Sequence, residues 1–464
     1  MRPGFDLAGK RVLVVGLART GVAASLFAAA NQAIVTATDE KKEGEMTETA
    51  AKLRKAGVKL DLGGHTEAAF LDQDLIVISP GVPVKLPPLD LARSRGVAVW
   101  SEIELAWRFL RGKLVAITGS NGKTTTTSLV AHILKNAGIP TLVGGNIGVP
   151  LVSLIETSTD SSVTVAEISS FQLEATEVFR PGIGVLLNLT PDHLDRHASF
   201  EEYADAKMRM FENQLEGDNA VLNADDPEVT RRMPSRPHVF WFSRQKRVAQ
   251  GAFLREDQII FRNEGSEVAV ARRDEIALRG EHNVENVLAA CAAAYLAGAT
   301  PTAIASGVKT FQGVEHRLEF VAEVGGVKFY NDSKATNVDA ALKAVEAFPG
   351  PLVVILGGTD KGSPYTPLRE PLRARARLTI LIGAAADRIA ADLGDAVPAV
   401  NAGTLDRAVQ LAVERARPGD TVLLAPACSS FDQFENYEHR GRTFKELVAK
   451  FENHSAAEAH ARKG

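Results

Sequence analysis

Residues 114–127 form the stretch that most constrains the fold, with an apolar run, a glycine-containing turn and a threonine-rich segment. The apolar run 114–117 predicts a buried strand, and a helix is predicted from Lys123 onward. Between them, Gly119 and Gly122 allow the backbone to wrap closely around an anion with N–H groups pointing inward. The helix adds its unpaired N–H groups and the positive end of its dipole. The stretch therefore predicts a phosphate-binding loop.

The loop has the form Thr-Gly-x-x-Gly-Lys-Thr over residues 118–124 and departs from the strict Walker A pattern, which has a glycine where this chain has Ile117. Lys123 would add a mobile positive charge for a nucleoside triphosphate, and the Thr124 hydroxyl is placed to ligate Mg²⁺. The alternative is a strand-to-helix turn with a chance Gly-Lys-Thr. The predicted phosphate-site residues are Gly119, Ser120, Asn121, Gly122, Lys123, Thr124 and Thr125.

Length and composition limit the class of protein. A chain of 464 residues predicts about three domains. The net charge of −4 argues against a general nucleic-acid binder. Two cysteines, Cys291 and Cys428, allow neither a disulfide framework nor a zinc cluster. No apolar run reaches the roughly 20 residues that span a bilayer, and the first residues lack a signal-peptide core. We expect a soluble cytoplasmic protein.

The first hundred residues alternate strands with helices, which predicts a parallel sheet. A strand at 11–16 leads into a helix and then into a second strand that ends at Asp39, about where a nucleotide ribose or base is often bound. Ala18 replaces the second glycine of the dinucleotide fingerprint, so binding of the NAD type is disfavoured. A simple tight turn is the alternative. Residues 79–81 follow another strand, at the edge where such sheets bind ligands.

Acidic and histidine residues follow two later strands. Glu167 ends an apolar strand, and a carboxylate there is costly to bury unless it meets a cation, so we interpret it as a second Mg²⁺ ligand. An exposed glutamate at a strand end is the alternative. Residues 190–197 carry two histidines and two aspartates, which indicates a metal site, a catalytic loop or a polar loop with a helix cap. Residues 238–270 predict antiparallel strands with turns.

The last part of the chain repeats the alternation. Apolar strands are predicted at 352–359, 378–383 and 421–425, with helical sequence between them, and residues 311–314 are interpreted as the linker before them. The chain is thus predicted to have an α/β fold with a third doubly wound unit.

The combined motifs resemble the Mur ligase family of bacterial cell-wall synthesis over nearly the whole chain. The motifs that carry the resemblance are residues 118–124, 145–148, 167–173, 192–196, 223–226, 282–286, 316–317, 332–337 and 426–434. The resemblance implies three domains, each built on a mostly parallel sheet with helices on both faces. Rossmann-like domains at 1–101 and 313–464 would flank a P-loop ATP-binding domain at 102–312, the first binding a UDP substrate and the last an amino acid.

Residues 332–337 together with 429–434 are similar to the family members that add D-glutamate. This implies ATP-dependent addition of D-glutamate to UDP-N-acetylmuramoyl-L-alanine through an acyl phosphate, by a monomer that binds no nucleic acid and has no membrane span. Other interpretations are a Mur-type ligase for a different amino acid and a P-loop protein that uses nucleotide hydrolysis to switch shape. A nicotinamide oxidoreductase built on the first domain is a further alternative.

The resemblance also implies roles for individual residues. The UDP substrate would be bound by Arg19, Thr20, Asp39, Ser79, Gly81 and Asn146. Besides the phosphate loop, ATP would be bound by Asn283, Asn286, Arg317 and Asp332. The amino acid would be bound by Lys334, Thr336, Lys361, Ser430 and Tyr437. Two Mg²⁺ would be held by Thr124, Glu167, His193 and Lys207, the last as a carbamate formed with CO₂. The implied catalytic residues are Lys123, His193, Lys207 and Lys334.

Overall fold

The computed structural model describes residues 5–193, 196–276, 278, 280–311 and 313–461. The chain divides into two compact units. Unit 1 comprises residues 1–276 and 284–311, and unit 2 comprises residues 277–283 and 312–464. Gln312 of the predicted linker lies outside the described residues.

The first sheet of unit 1 has the strand order β3-β2-β1-β4-β5, and all neighbouring strands are parallel. Its strands are β1 (Arg11–Val15), β2 (Ile34–Asp39), β3 (Lys59–Leu62), β4 (Leu75–Ile78) and β5 (Ala98–Ser101). The accompanying helices are α1 (Arg19–Ala30), α2 (Thr47–Lys55), α3 (Glu67–Leu71), α4 (Pro87–Ser94) and α5 (Glu102–Phe109).

The second sheet of unit 1 has the order β14-β13-β12-β11-β10-β9-β6-β8-β7. Its strands are β6 (Lys113–Thr118), β7 (Thr141–Gly145), β8 (Val163–Glu167), β9 (Ile183–Leu186), β10 (Asn219–Asn223), β11 (His238–Ser243), β12 (Gly251–Arg255), β13 (Gln258–Asn263) and β14 (Ser266–Arg272). Its helices are α6 (Lys123–Asn136), α7 (Ser170–Leu173), α8 (Phe200–Glu212), α9 (Pro227–Arg231), α10 (Glu281–Ala297) and α11 (Pro301–Thr310). The start of α10, up to Asn283, is assigned to unit 2.

Unit 2 contains a sheet with the order β15-β16-β20-β17-β18-β19. Its strands are β15 (Glu319–Val324), β16 (Val327–Asn331), β17 (Leu352–Gly357), β18 (Ala376–Ile382), β19 (Ala399–Gly403) and β20 (Thr421–Leu424). Its helices are α12 (Val338–Glu346), α13 (Arg369–Arg375), α14 (Ala386–Leu393), α15 (Leu405–Arg415) and α16 (Tyr437–Ala461). Four short 3₁₀ turns occur at Glu43–Glu45, Leu151–Leu154, Arg273–Glu275 and Thr366–Leu368 among the described residues.

Alternate residues of the strands enter separate cores. Along β1, Val12 and Val14 pack into one cluster, whereas Leu13 and Val15 pack into another. The strands of unit 2 show the same alternation between a core shared with α12 to α14 and one shared with α15 and α16. Side chains of a strand point alternately to opposite faces, so both faces of these sheets are covered. The predicted three-domain α/β class is confirmed.

The prediction of antiparallel strands over residues 238–270 is wrong for the first of them. Strand β11 lies parallel to both β10 and β12, and the antiparallel pairs are β12–β13 and β13–β14. Helix α9 lies in the connection between β10 and β11, and a crossover of this kind brings the next strand back in the same direction. Among the described residues, no helix combines the length and apolar character that crossing a membrane would require.

Candidate active site

A cavity of about 440 Å³ lies where β1, β2 and β4 end. Strand β1 lies between β2 and β4 in the sheet. The strand order runs from β1 to β2 and β3 on one side and to β4 and β5 on the other, and a crevice opens at the carboxyl end of β1, where the order reverses. Five of the six residues predicted to bind the UDP substrate line this cavity, and they are Thr20, Asp39, Ser79, Gly81 and Asn146.

Arg19, the sixth, lines a different cavity, of about 760 Å³, together with residues of α1 and α2. Leu17 lines both cavities. Arg19 is the first residue of α1, and neighbouring helical positions point in different directions, so Arg19 and Thr20 separate. The structure therefore does not group Arg19 with the other five.

The turn after β1 is held by polar side chains of neighbouring strands. Oδ2 of Asp39 accepts a hydrogen bond from the Leu17 N–H at 2.6 Å, and Oδ1 accepts one from the Lys41 N–H at 2.9 Å. The Ser79 hydroxyl donates to the Gly16 carbonyl oxygen at 2.7 Å. These two side chains shape the cavity wall as well as line it.

Arg196, which precedes α8 in unit 1, reaches that wall. Its guanidinium donates to the carbonyl oxygens of Pro80 and Val82, at 2.9 and 2.7 Å, and lies 4.4 Å from the centroid of the Phe171 ring. The sequence singles out Arg196 only as part of the motif at residues 192–196. Leu194 and Asp195 of that motif lie outside the described residues.

The predicted phosphate loop follows β6, between the ends of β8 and β9. Nζ of Lys123 donates to the carbonyl oxygens of Gly119 and Ser120, at 2.8 and 2.7 Å. The Asn121 N–H donates to Oδ1 of Asn188, which fixes the loop to the segment after β9. The loop thus has the strand-turn-helix form that the sequence predicts.

Gly122 has a left-handed backbone with φ of +84°, and a Cβ there would stand 2.1 Å from Oδ1 of Asn286. Asn286, predicted to bind ATP, therefore packs directly against the loop. Thr125 is 1% exposed, and its hydroxyl has no hydrogen-bond partner within the described part of the chain.

Glu167 is the centre of a polar chain. Its Oε2 accepts from the Thr124 hydroxyl and its Oε1 from Nδ2 of Asn146, both at 2.8 Å. Glu167 is 2% exposed. Strand pairing sets this arrangement, because Glu167 lies opposite Ile117 of β6 and Gly145 of β7. A hydroxyl and a buried carboxylate are oxygen donors of the type that Mg²⁺ prefers, so these residues fit a magnesium ion.

Lys207 lies on α8 and is 2% exposed. Its Nζ stands 4.5 Å from the centroid of the Tyr203 ring, and the Tyr203 hydroxyl donates to Oγ of Ser120 in the phosphate loop. Burial and the nearby Lys123 ammonium lower the pKa of Lys207 well below its usual value. Lys207 is therefore a buried lysine and not a solvated one.

The two histidines of the 190–197 segment differ in burial. His193 has a positive φ of 53° and a side chain 49% exposed, with its ring edge-on to Phe171. His197 is 1% exposed, stacks on Phe171 and lies 3.1 Å from the Ser170 hydroxyl. Burial lowers the pKa of His197, which favours its neutral imidazole.

Three of the residues predicted to bind ATP belong to unit 2, namely Asn283, Arg317 and Asp332. Asn283 is 3% exposed. Burial raises the pKa of Asp332 to about 6, although the charges of Arg317 and Lys334 act in the opposite direction. Asp332 follows β16, and its N–H donates to the Leu424 carbonyl oxygen of β20 at 2.8 Å.

The residues predicted to bind the amino acid follow neighbouring strands of unit 2. Nζ of Lys334 lies 5.5 Å from the centroid of the Tyr437 ring. Nζ of Lys361 approaches Oγ1 of Thr336 at 3.5 Å. Ser430 is 2% exposed. Lys334, Thr336, Lys361 and Ser430 come after β16, β17 and β20, which are adjacent in the sheet.

Arg440, which sequence reasoning did not single out, is fully buried beneath these loops. It donates through Nε to the Ser333 hydroxyl at 3.0 Å and through both terminal nitrogens to the Cys428 carbonyl oxygen at 3.3 Å. Burial lowers its pKa to about 10, so it remains a cation at neutral pH. No local signal distinguishes Arg440 from Arg442, the other arginine of α16, because the role of Arg440 depends on two distant loops.

Comparisons with known proteins match nearly the whole chain. Family models described as the MurD-like N-terminal domain, the middle domain and the glutamate ligase domain of Mur ligases match residues 10–101, 117–294 and 316–428. The UDP-N-acetylmuramoylalanine–D-glutamate ligase of Acidobacterium capsulatum is 54% identical over 449 residues, 96% of this chain and 97% of that one. The ligase of the same name from Koribacter versatilis is 53% identical over 96% of this chain and 98% of its own.

Solved structures share the fold at lower identity. A pseudomurein peptide ligase type C from Methanothermus fervidus gives a TM-score of 0.59 at 22% identity, with 95% of this chain and all of that chain covered. A UDP-N-acetylmuramate–alanine ligase from Thermotoga maritima gives 0.58 at 20%, over 95% and 99% of the two chains. The family models and the curated relatives establish that this chain belongs to the Mur ligase family.

Proposed function

We propose that this protein adds D-glutamate to UDP-N-acetylmuramoyl-L-alanine, with conversion of ATP to ADP and phosphate, in the synthesis of peptidoglycan precursors. One observation carries the proposal. Asn146 lines the cavity after the first sheet and hydrogen-bonds Glu167, which hydrogen-bonds Thr124 of the phosphate loop. A sugar nucleotide in that cavity and ATP on the loop would therefore meet at Glu167, as phosphoryl transfer between them requires.

The reaction solves a problem of carboxylate chemistry. A free carboxylate is anionic and has no good leaving group, so an amine does not attack it. A carboxylate oxygen of the UDP substrate takes the γ-phosphoryl group of ATP, which forms an acyl phosphate and releases ADP. The neutral amine of D-glutamate then attacks the acyl carbon, phosphate leaves, and the nitrogen loses a proton to solvent as the amide bond forms.

The protein contributes position and positive charge to the transfer. Lys123 already reaches the carbonyl oxygens of the phosphate loop, and a rotation of its side chain would direct Nζ to the γ-phosphate. Charge held in place before the reaction stabilises the transition state more than mobile solvent does. Lys123 is thus the residue that we assign to the transferred phosphoryl group.

Thr124 and Glu167 would hold one Mg²⁺, and His193 would help to hold a second. Bound magnesium neutralises the phosphate oxygens between which the transfer takes place. The chain's own share is to keep these ligands in place, which Asn146 does for Glu167 by donating to Oε1.

Lys207 would be carbamylated. The neutral ε-amine attacks CO₂, one C=O π bond of CO₂ opens as the N–C bond forms, and the amine loses a proton to water. Burial and the Lys123 charge favour the neutral amine that this step needs. The product is an anion with two oxygens, which suits Mg²⁺, whereas an ammonium offers donors only.

The amino acid would be bound in unit 2 by Lys334, Thr336, Lys361, Ser430 and Tyr437. D-Glutamate carries two carboxylates. Two lysine ammonium groups, together with the neighbouring hydroxyl groups, can donate hydrogen bonds to both of them. Asn283, Arg317 and Asp332 would complete the ATP site, and the enzyme would act as a monomer.

Phosphate release tests the proposal directly. We expect release with ATP, UDP-N-acetylmuramoyl-L-alanine and D-glutamate together, little with L-glutamate, and a product that carries one added glutamate. Lys123→Ala serves as the control for adventitious hydrolysis. Phosphate release that does not depend on the UDP substrate would favour a nucleotide-hydrolysing switch protein. Equal use of another amino acid would favour a different Mur-type ligase.

A further inference from the structure

The hydroxyl of Tyr365 stands between the two loops of unit 2 that carry Lys361 and Ser430. Tyr365 is 2% exposed, and its hydroxyl donates to Oδ1 of Asp360 at 2.9 Å. The same oxygen lies 3.0 Å from Sγ of Cys428. Asp360 immediately precedes Lys361, and Cys428 lies two residues before Ser430. One buried hydroxyl therefore connects both loops.

Arg388, on α14, holds the Lys361 loop from the other side. It forms an ion pair with Oδ2 of Asp360 and donates to the Gly362 carbonyl oxygen at 3.0 Å. The Gly362 N–H in turn donates to Oδ1 of Asp360 at 3.1 Å. Asp360 and Gly362, the residues on either side of Lys361, are thus held by the Arg388 guanidinium and by each other.

The backbone joins the same two loops a second time. The Thr359 N–H donates to the Ser429 carbonyl oxygen at 2.9 Å, and the Ser429 N–H returns a bond at 3.2 Å. This backbone pair holds Thr359 against Ser429. The contacts of Asp360, the next residue, then orient Lys361 relative to Ser430.

Asp360 also brings a negative charge close to the place proposed for a dianionic substrate. Burial acts to raise the pKa of Asp360, but hydrogen bonds from Tyr365 and Gly362 and the charge of Arg388 outweigh it, so the pKa is lowered. The carboxylate is therefore ionised at neutral pH. Arg388 compensates this charge, which would otherwise repel the carboxylates of the amino acid.

We propose that Arg388 and Tyr365 are positioning residues for the acceptor amino acid, which hold the Lys361 loop against the Ser430 loop. Neither is proposed to touch the substrate, and both act through Lys361. The inference rests on the proposed function, because it takes D-glutamate as the acceptor. It goes further than that function, because it predicts that changes at Arg388 and Tyr365 alter KM for D-glutamate but not for ATP or the UDP substrate.

Steady-state kinetics of Arg388→Ala and Tyr365→Phe test the inference. Misplacing a binding group by a fraction of an ångström is costly, so we expect KM for D-glutamate to rise about 10-fold. KM for ATP and for the UDP substrate should stay within about twofold of wild type, since those sites are not contacted. Arg407→Ala is a matched control, because Arg407 pairs with Glu414 in the same unit and is 46% exposed, against 42% for Arg388.

A double-mutant cycle separates positioning from general loss of structure. If Arg388 acts through Lys361, the effect of Arg388→Ala on KM for D-glutamate should fall below about twofold in a Lys361→Ala background. If Arg388 had a merely structural role, Arg388→Ala would raise KM for D-glutamate by the same factor in both backgrounds. Arg388→Lys keeps the positive charge but loses the paired N–H donors of the guanidinium. Its KM for D-glutamate should therefore lie between that of wild type and that of Arg388→Ala.

The outcomes are distinct. A wild-type enzyme that does not use D-glutamate refutes the proposed function, and this inference falls with it. A D-glutamate-dependent wild type with unchanged KM in both Arg388→Ala and Tyr365→Phe refutes the inference alone. Equal rises of KM for all three substrates, or an undiminished effect of Arg388→Ala in the Lys361→Ala background, also overturn it. Should Arg388→Ala not fold, Tyr365→Phe and Arg388→Lys decide between these results.

Discussion

The hydroxyl of Thr124 donates a 2.8 Å hydrogen bond to Oε2 of Glu167, although 43 residues separate them in the chain. Thr124 is the second residue of α6 and Glu167 is the last residue of β8, and they meet because β6, which precedes α6, is paired with β8 in the sheet. Their oxygens are the pair that we assign to magnesium.

Replacement of Glu167 tests that assignment. Glu167→Gln keeps the size of the side chain and an acceptor oxygen but removes the negative charge, so magnesium should be held less tightly. We expect the magnesium concentration for half-maximal activity to rise at least about 10-fold. Titration of activity with Mg²⁺ measures this, and Glu216→Gln, at an exposed position of the same unit, is the control. An unchanged magnesium requirement would contradict the assignment.

The modification of Lys207 is open to direct detection. Labelled ¹³C-bicarbonate should give a carbamate carbon signal in the NMR spectrum of active wild-type protein and none in Lys207→Ala. Lys207→Arg retains the charge but cannot be carbamylated, so we expect both variants to lose about 100-fold in turnover through a weakened metal site.

Lys135→Ala, which removes an exposed lysine at the end of α6, provides the comparison. It should keep the signal and the activity. Full turnover in Lys207→Ala, or active wild-type protein without the signal, would rule the modification out.

Gly122 tests how closely the phosphate loop is packed. A methyl group at this position would need to stand 2.1 Å from Oδ1 of Asn286, and the φ of +84° disfavours any side chain. Gly122→Ala should therefore displace the loop and raise the dissociation constant for ATP by about 100-fold. A Cβ at Gly217 would meet no atom within 4 Å, so Gly217→Ala should bind ATP as wild type does. Equal affinities in isothermal titration would show that the loop tolerates the change.

The phosphate loop and Glu167 could be predicted from sequence because their signals are local. An apolar strand, two glycines and Gly-Lys-Thr lie within one short stretch, and a glutamate at the end of an apolar run indicates a carboxylate at the sheet edge. The alternation of strands and helices likewise predicted parallel sheets with covered faces. In these cases the backbone pattern alone determines which side chains reach the edge.

Other features depend on pairings between distant segments. Tyr365, Arg388 and Cys428 carry no motif that links them. Tyr365 contacts both Asp360 and Cys428, and Arg388 contacts Asp360, only because β17, β18 and β20 are adjacent. Arg19 is one of the six residues predicted to bind the UDP substrate, yet its place at the start of α1 directs it to another cavity. Strand direction in β11 depended on the helix in the preceding connection rather than on its own residues.

A buried carboxyl outside the proposed mechanism gives a pH prediction. Glu102, at the start of α5, is 1% exposed, and its Oε1 accepts from the Val152 N–H at 2.7 Å. Its Oε2 has no hydrogen-bond partner within the described residues. Burial raises the pKa of Glu102 to about 7, despite the opposing backbone hydrogen bonds from Leu151 and Val152.

The sign of the effect follows from proton binding. Between the ordinary glutamate pKa and about 7, the folded state holds a proton on Glu102 that the unfolded state has lost, so this group's contribution to stability is lost as pH rises through that range. Glu102→Gln cannot ionise and keeps an oxygen for Val152. We expect the variant's free energy of unfolding, relative to wild type, to increase by up to about 3 kcal/mol between about pH 5 and about pH 8. Denaturant unfolding of both proteins at the two pH values measures this difference, and a difference that stays constant or shrinks as pH rises would show that Glu102 is ionised throughout.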